Sequence, residues 1–277
     1  MSHSKRFIAP GGWFSMSYPE SWFESEDTPD SFLFYNPNIW SGNFRVSVYR
    51  EEKNMHYGKD AVDEFIREEK IAHKVQVGQH TAAYLAYPVE EDGNEYTMHI
   101  WVVDLEHLAA ECTFICPQGG EIADAVEVIE SLEPRYNHKK YPAELIPPRI
   151  AEISIVNEAY NMMSHLVNDQ TKKNFQGSDE DIAILIDALE QADYSAKKRE
   201  VWLAVGITLC VILAEEVEGL EWRTLIDGNR EDPVLYYLAK DLVIDPMKLV
   251  WSKKKHKLDC DLMIIYQECL TLLSGNE

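Results

Sequence analysis

The sequence predicts an α+β protein of two domains: an antiparallel sheet flanked by helices over residues 1–135, then a mainly helical domain with a small β-hairpin over 150–277. Three observations carry that prediction. Apolar and polar residues alternate in short runs through the N-terminal half, the pattern of strands with one buried face. The stretch 136–149 is polar, contains Pro142, Pro147 and Pro148, and reads as a linker. Beyond it the apolar period becomes that of a helix. A length of 277 residues also favours two cores over one.

Taken in order, Phe14-Ser15-Met16-Ser17-Tyr18 alternates and stops at Pro19, which cannot donate to a ladder, with Trp22 close behind. Ser31-Phe32-Leu33-Phe34-Tyr35 follows, then the turn residues Asn36-Pro37-Asn38, then Phe44-Arg45-Val46-Ser47-Val48-Tyr49. Together these segments resemble the opening of PsbP-like domains. The resemblance covers the first half of the chain. It implies the PsbP-like α+β fold and an accessory or adaptor role, since that fold serves an extrinsic photosystem II protein, a Ran-binding import factor and bacterial chaperones. An amphipathic helix is predicted over Lys59–Ala72 from Val62, Phe65 and Ile66. Strands are predicted at 74–77, 81–88, 96–104 and 109–116, with Asp92-Gly93 as a hairpin turn between the second and third. Gly119-Gly120 opens a helix carrying Ile122, Ala125, Val126 and Ile129.

In the second half, Ile153, Val156, Tyr160, Met163 and Val167 form one helical stripe, and Ile182, Leu185, Ile186 and Leu189 the next. Ser178 and Asp181 read as a capping box. A third helix runs over Lys197–Glu216. Gly206 inside it costs about 1 kcal/mol relative to alanine, which implies close packing against another helix. Residues 221–226 and part of 234–244 form the hairpin, Asp245-Pro246 starts a short helix, and Cys260–Leu273 is the last one. This half is similar to a bacterial helical domain of unknown function.

The formal charge is -22, from 48 acidic and 26 basic residues, and it repels nucleic acid and anionic membranes as partners. The polar N-terminus has no apolar run of the length a signal peptide needs, and five cysteines without close-set pairs do not form a disulfide framework, so a cytoplasmic location is expected. Cys112 and Cys116 share a strand face too far apart for a disulfide or a common zinc ion. Phosphate-loop, nucleophile-elbow and paired metal-ligand motifs are missing. His256 with Cys260 reads as a structural pair, Asp104-Leu105-Glu106-His107 as a solvated hairpin loop, and the basic run Lys253–Lys257 as a helix C-terminus. Trp22, Trp101 and Trp202 read as core.

Trp40 differs, because it lies in a loop whose neighbours do not require burial, and it serves either as a core lid or as an interface anchor. The expected function is therefore a non-catalytic protein-binding or adaptor module, with Trp40, Asn43, Glu91 and Asp92 as its partner-binding residues and no cofactor. Charge favours a basic protein partner. A narrower alternative is an immunity or chaperone protein for a secreted toxin. The competing class is an enzyme with a carboxylate and histidine site between domains, drawing on Asp227, Asp232 or Asp241.

Overall fold

The computed structural model describes residues 4–275 except 29, 52 and 137, and its chain divides into two compact units, Met1–Pro142 and Ala143–Glu277. The fold is α+β. In the first unit the strands are β1 (Ser4–Ile8), β2 (Phe14–Pro19), β3 (Phe23–Thr28), β4 (Ser31–Tyr35) and β5 (Asn43–Tyr49), followed by helix α1 (Tyr57–Glu68). Then come β6 (His73–Val77), β7 (His80–Glu91), β8 (Asn94–Leu105), β9 (Leu108–Pro117), α2 (Ala123–Glu130) and β10 (Glu133–Pro134). Seven strands form one antiparallel sheet in the order β3-β4-β5-β9-β8-β7-β6, and β1-β2-β10 form a second.

The alternation seen in the sequence decides what each face does. Phe32, Val46, Cys112, Trp101 and Tyr84 fall in one register row across five strands, and so share a face. That face is covered by Phe7, Phe14, Met16 and Trp22, together with Ala125, Val128 and Ile129 of α2. Trp22 stacks on Phe114 with centroids 6.2 Å apart and lies 5.9 Å from Phe44. Its burial agrees with the core reading, as does that of Trp101 and Trp202. On the opposite face α1 packs Val62 against Ala83 and Val102. Helix α1 starts where Gly58 N donates to the Glu106 carbonyl at 2.9 Å, an approach that a side chain at Gly58 would block.

The small sheet is tied to α2 by Ser131, just after that helix. Its hydroxyl oxygen accepts from Ser17 N at 2.8 Å and donates between the carbonyls of Val128, at 2.7 Å, and Ser17, at 3.1 Å. Ser131→Ala strands the Ser17 N–H, and is expected to cost about 1–3 kcal/mol in denaturant unfolding. Three strands escaped the sequence pattern. In β1 only Phe7 and Ile8 are buried, β3 is an acidic edge strand of sequence FESEDT, and β10 has two residues. Charge on an edge strand discourages pairing with other chains, and it erases the apolar alternation by which strands are read.

The second unit contains β11 (Glu144–Ile146), α3 (Ile150–Thr171), α4 (Asp181–Ala192), α5 (Arg199–Glu216), β12 (Leu220–Asp227), β13 (Arg230–Tyr237) and β14 (Leu242–Ile244). A π turn over Met247–Trp251, α6 (Ser252–Lys255) and α7 (Leu262–Ser274) complete it. The expected hairpin is the centre of a four-stranded sheet, β11-β12-β13-β14, because three-residue strands at both edges are too short to show a period. For the same reason the 136–149 stretch is more than a linker, since it holds β11 and the buried Arg149.

Helix α5 is buried almost all round, so it is the core of this unit. Gly206 packs against the Pro246 carbonyl in the first turn of the helical segment 246–255, the close helix approach that a glycine there implies; a Cβ would overlap that oxygen. The expected capping box is inverted. Asp181 Oδ2 accepts from the backbone N–H of Gln176, Gly177 and Ser178 at 2.7, 2.8 and 3.2 Å, so the carboxylate holds the incoming loop. At α7 it is Asp261 that caps, accepting from Met263 N and Ile264 N at 2.9 and 3.1 Å.

Two ion networks hold the sheet to the helices. Arg149 donates to Glu152 through Nε at 2.7 Å and Nη2 at 2.5 Å, and to Glu231 of β13 at 2.7 Å, while Thr224 Oγ1 of β12 donates to Glu152 at 3.0 Å. Arg230 makes a bidentate pair with Asp245 at 2.7 and 2.8 Å. Burial by itself would raise the Asp245 pKa, but the hydrogen bonds and charge of Arg230, helped by Lys248, hold it below the usual carboxylate value. A carboxyl with a depressed folded pKa contributes stability that is present above its unfolded pKa of about 3.9 and is lost as pH falls through the lower folded value. Acid titration of unfolding free energy is thus expected to fall less steeply below about pH 4 in Asp245→Asn than in the wild type. Among the described residues no helix is long and apolar enough to cross a membrane.

Candidate protein-docking surface

The face of the large sheet that carries α1 is covered only in part. Three register rows follow one another along it. Ala83 and Val102 lie in the first, beneath α1. Leu33, Arg45, Thr113, Ile100 and Leu85 form the next, and Tyr35, Asn43, Ile115, Met98 and Tyr87 the one after. In this last row the first four side chains are half-buried and Tyr87 is exposed. An apolar sheet face left accessible to solvent is a feature of interaction surfaces.

At its end stands the loop between β4 and β5. Asn36 Oδ1 accepts from Asn38 N at 3.0 Å and Ile39 N at 3.2 Å, a local turn that lifts Ile39 and Trp40 outward. Ile39 is 75% exposed and Trp40 43%. The indole is nonetheless fixed. Its Nε1 donates to Asn43 Oδ1 at 2.8 Å, and its ring meets Tyr96 edge-on at 5.8 Å and 87°. Gly42, at φ +150°, lets the loop return to β5 past the Phe114 ring, where a side chain would collide.

The β7–β8 hairpin reaches beyond the same end of the sheet. Glu91 pairs with Asn94 across a two-residue turn in which Asp92 and Gly93 have φ 52° and 76°, as the Asp-Gly signal requires. Glu90, Glu91, Asp92 and Glu95 are all exposed there. Four carboxylates in six residues therefore lie beside an aromatic pair. The four residues singled out from sequence all fall at this end of the first unit, with Trp40 and Asn43 in direct contact. Tyr96 was missed, because its contact with Trp40 depends on pairing across strands.

The chain matches a protein-family model, a domain of unknown function, over residues 2–157. It belongs to the DUF3805 family. Within this DUF3805 protein a second domain of unknown function, DUF3806, matches residues 181–266. A crystal structure of a protein from Bacteroides thetaiotaomicron is 45% identical, with a TM-score of 0.92 over 96% of this chain and 98% of that one. The cyanobacterial PsbP protein CyanoP of Synechocystis matches 49% of the DUF3805 chain and 94% of its own at 11% identity and a TM-score of 0.27. LpqN, involved in cell envelope biogenesis of Mycobacterium tuberculosis, matches 48% and 91% at 12% identity and a TM-score of 0.32. At those scores neither overlay carries an argument. No curated protein matches the DUF3805 chain.

The remaining sequence candidates are placed elsewhere. Asp104 Oδ1 accepts from Glu106 N at 2.9 Å, Glu106 accepts from the Tyr136 hydroxyl, and His107 stacks on Tyr136 with centroids 4.6 Å apart. This is the expected hairpin turn between β8 and β9, with Glu106 exposed and clasped by Tyr136. The hydrogen bond to Glu106 pushes the Tyr136 hydroxyl up to about 12, and burial lowers His107. His256 Nδ1 contacts the Ser252 carbonyl at 2.8 Å, and Cys260 lines a cavity in the second unit. Asp232 pairs with Arg230 at 2.5 Å, and Asp241 accepts from the Tyr236 hydroxyl at 2.9 Å, so both carboxylates serve local structure. Among the described residues no group of three or more His, Cys, Asp or Glu side chains is placed to hold a metal ion.

Proposed function

We propose that this is a non-catalytic, cytoplasmic protein-binding module that docks a basic segment of another protein at the Trp40 end of the large sheet. The observation that carries this reading is the fixed orientation of an exposed indole beside a carboxylate-bearing hairpin. Tryptophan dominates interface energetics, and an anchor already held by Asn43 and Tyr96 loses little freedom on binding. Glu90, Glu91, Asp92 and Glu95 supply the attraction that steers a cationic partner and gives the complex its salt dependence. The likeness of the strand pattern to PsbP-like domains, with their accessory roles, belongs to the same proposal. So does its narrower form, an immunity or chaperone protein, which requires the captured partner to be a basic toxin.

The test is affinity capture from a lysate of the source organism with the wild-type chain, Trp40→Ala, and a charge-reversed hairpin in which Glu90, Glu91 and Asp92 become lysine. The expected result is one stoichiometric protein, captured by the wild type, weakened at high salt and lost with both variants. Capture that is indifferent to salt and to both substitutions would place the binding surface elsewhere.

A further inference from the structure

A cavity of about 360 Å³ in the second unit lies where the C-terminus of α4, the start of α5, α6 and the start of α7 converge. Its apolar wall is Leu189, Leu262 and the indole of Trp202. Trp202 Nε1 donates to the Ser195 carbonyl at 3.0 Å, which sets the plane of the ring. Over that ring sits the Lys254 ammonium, 4.3 Å from the centroid. The neighbouring Lys253 pairs with Glu268 at 3.6 Å, whereas Lys254 makes no ion pair among the described residues. An indole face thus holds the cation.

The polar wall is acidic. Glu190, Asp193 and Asp261 line the cavity against the single ammonium of Lys254. Asp193 sits at the C-terminal end of α4, where the helix dipole adds further negative potential. The position of Asp261 is fixed by its two hydrogen bonds to the first turn of α7. Burial pushes the Cys260 thiol up, so at neutral pH this residue is a protonated, weakly polar part of the wall. An aromatic face, three carboxylates and an apolar floor are complementary to one ligand class. We propose that this cavity binds a small organic ammonium ion with an apolar body, and that Lys254 occupies the cation position when the ligand is absent. The inference does not depend on the docking surface of the first unit.

Choline is a suitable probe, with 3,3-dimethylbutan-1-ol as its uncharged isostere, both titrated into the full chain by calorimetry and by saturation-transfer NMR. Choline is expected to bind at least about tenfold more tightly than the alcohol, since only the cation gains from the indole face. Lys254→Met removes the competing ammonium and should tighten choline binding by about fivefold or more. Glu190→Gln combined with Asp193→Asn should weaken it by a similar factor. Both sets of substitutions are at the cavity rim, so folding is preserved, and Trp202 itself is left intact. Binding seen only in Lys254→Met would support the competition directly. Equal affinity for the alcohol, unchanged or weaker binding in Lys254→Met, or no binding by either protein would overturn the proposal.

Discussion

Glu152→Ala is expected to lower the unfolding free energy of the second unit by about 3–5 kcal/mol, the range for breaking a buried ion pair from one side. Arg149 and Glu152 are 2% and 3% exposed, so neither charge can turn to water when its partner goes. The substitution leaves a buried guanidinium without the carboxylate that satisfies two of its nitrogens, and leaves the Thr224 hydroxyl without its acceptor. Replacing Arg149 and Glu152 together by methionine should cost less than the single change, because the buried guanidinium is removed with its partner and the charge left over is the part-exposed Glu231; the remaining cost is the Thr224 hydroxyl without its acceptor. Urea unfolding of the two variants side by side checks this. A loss below about 1 kcal/mol in Glu152→Ala would mean that water reaches the pair.

Trp40→Ala is expected to have the opposite profile, with little change in stability and a large loss of binding. The indole is nearly half exposed, and its contacts are one hydrogen bond and one ring edge, so truncation should shift the melting transition only slightly. Against the partner recovered by capture, affinity should fall by about thirtyfold or more, equivalent to about 2 kcal/mol for an interface anchor. Asn43→Ala keeps the ring but frees it, and should cost only a few-fold. Calorimetric titration together with thermal melting of each variant decides the matter. A destabilisation of several kcal/mol in Trp40→Ala with capture intact would make the residue a lid on the sheet.

How much of this could be read beforehand follows from the length and polarity of each element. Strands β2, β4, β5 and β7 to β9 alternate over five or more residues, and helices α1, α3, α4, α5 and α7 repeat an apolar period over three or more turns, so both were legible. The strands β11 and β14 are too short to show a period, β1 buries only two residues, and the sequence of β3, FESEDT, carries no apolar alternation. Trp40 and Asn43 were legible because Asn-Pro-Asn and Gly42 mark a loop around them. Tyr96 was not, since its position beside Trp40 is set by hydrogen bonding across β9 and β5. The cavity around Trp202 draws on residues from Ile186 to Leu262, a convergence that helix packing creates and no spacing announces.

Ser131 returns to Ser17 across 114 residues, and Glu231 to Arg149 across 82. On a ribosome adding roughly 5–20 residues per second, the first closure waits on the order of ten seconds after Ser17 has emerged. For that interval the small sheet lacks β10 and α2, and the phenylalanine-rich side of the nascent sheet is incompletely covered. The late closing contact thus leaves apolar surface of the unfinished first unit open to water until residues 120–135 have been added.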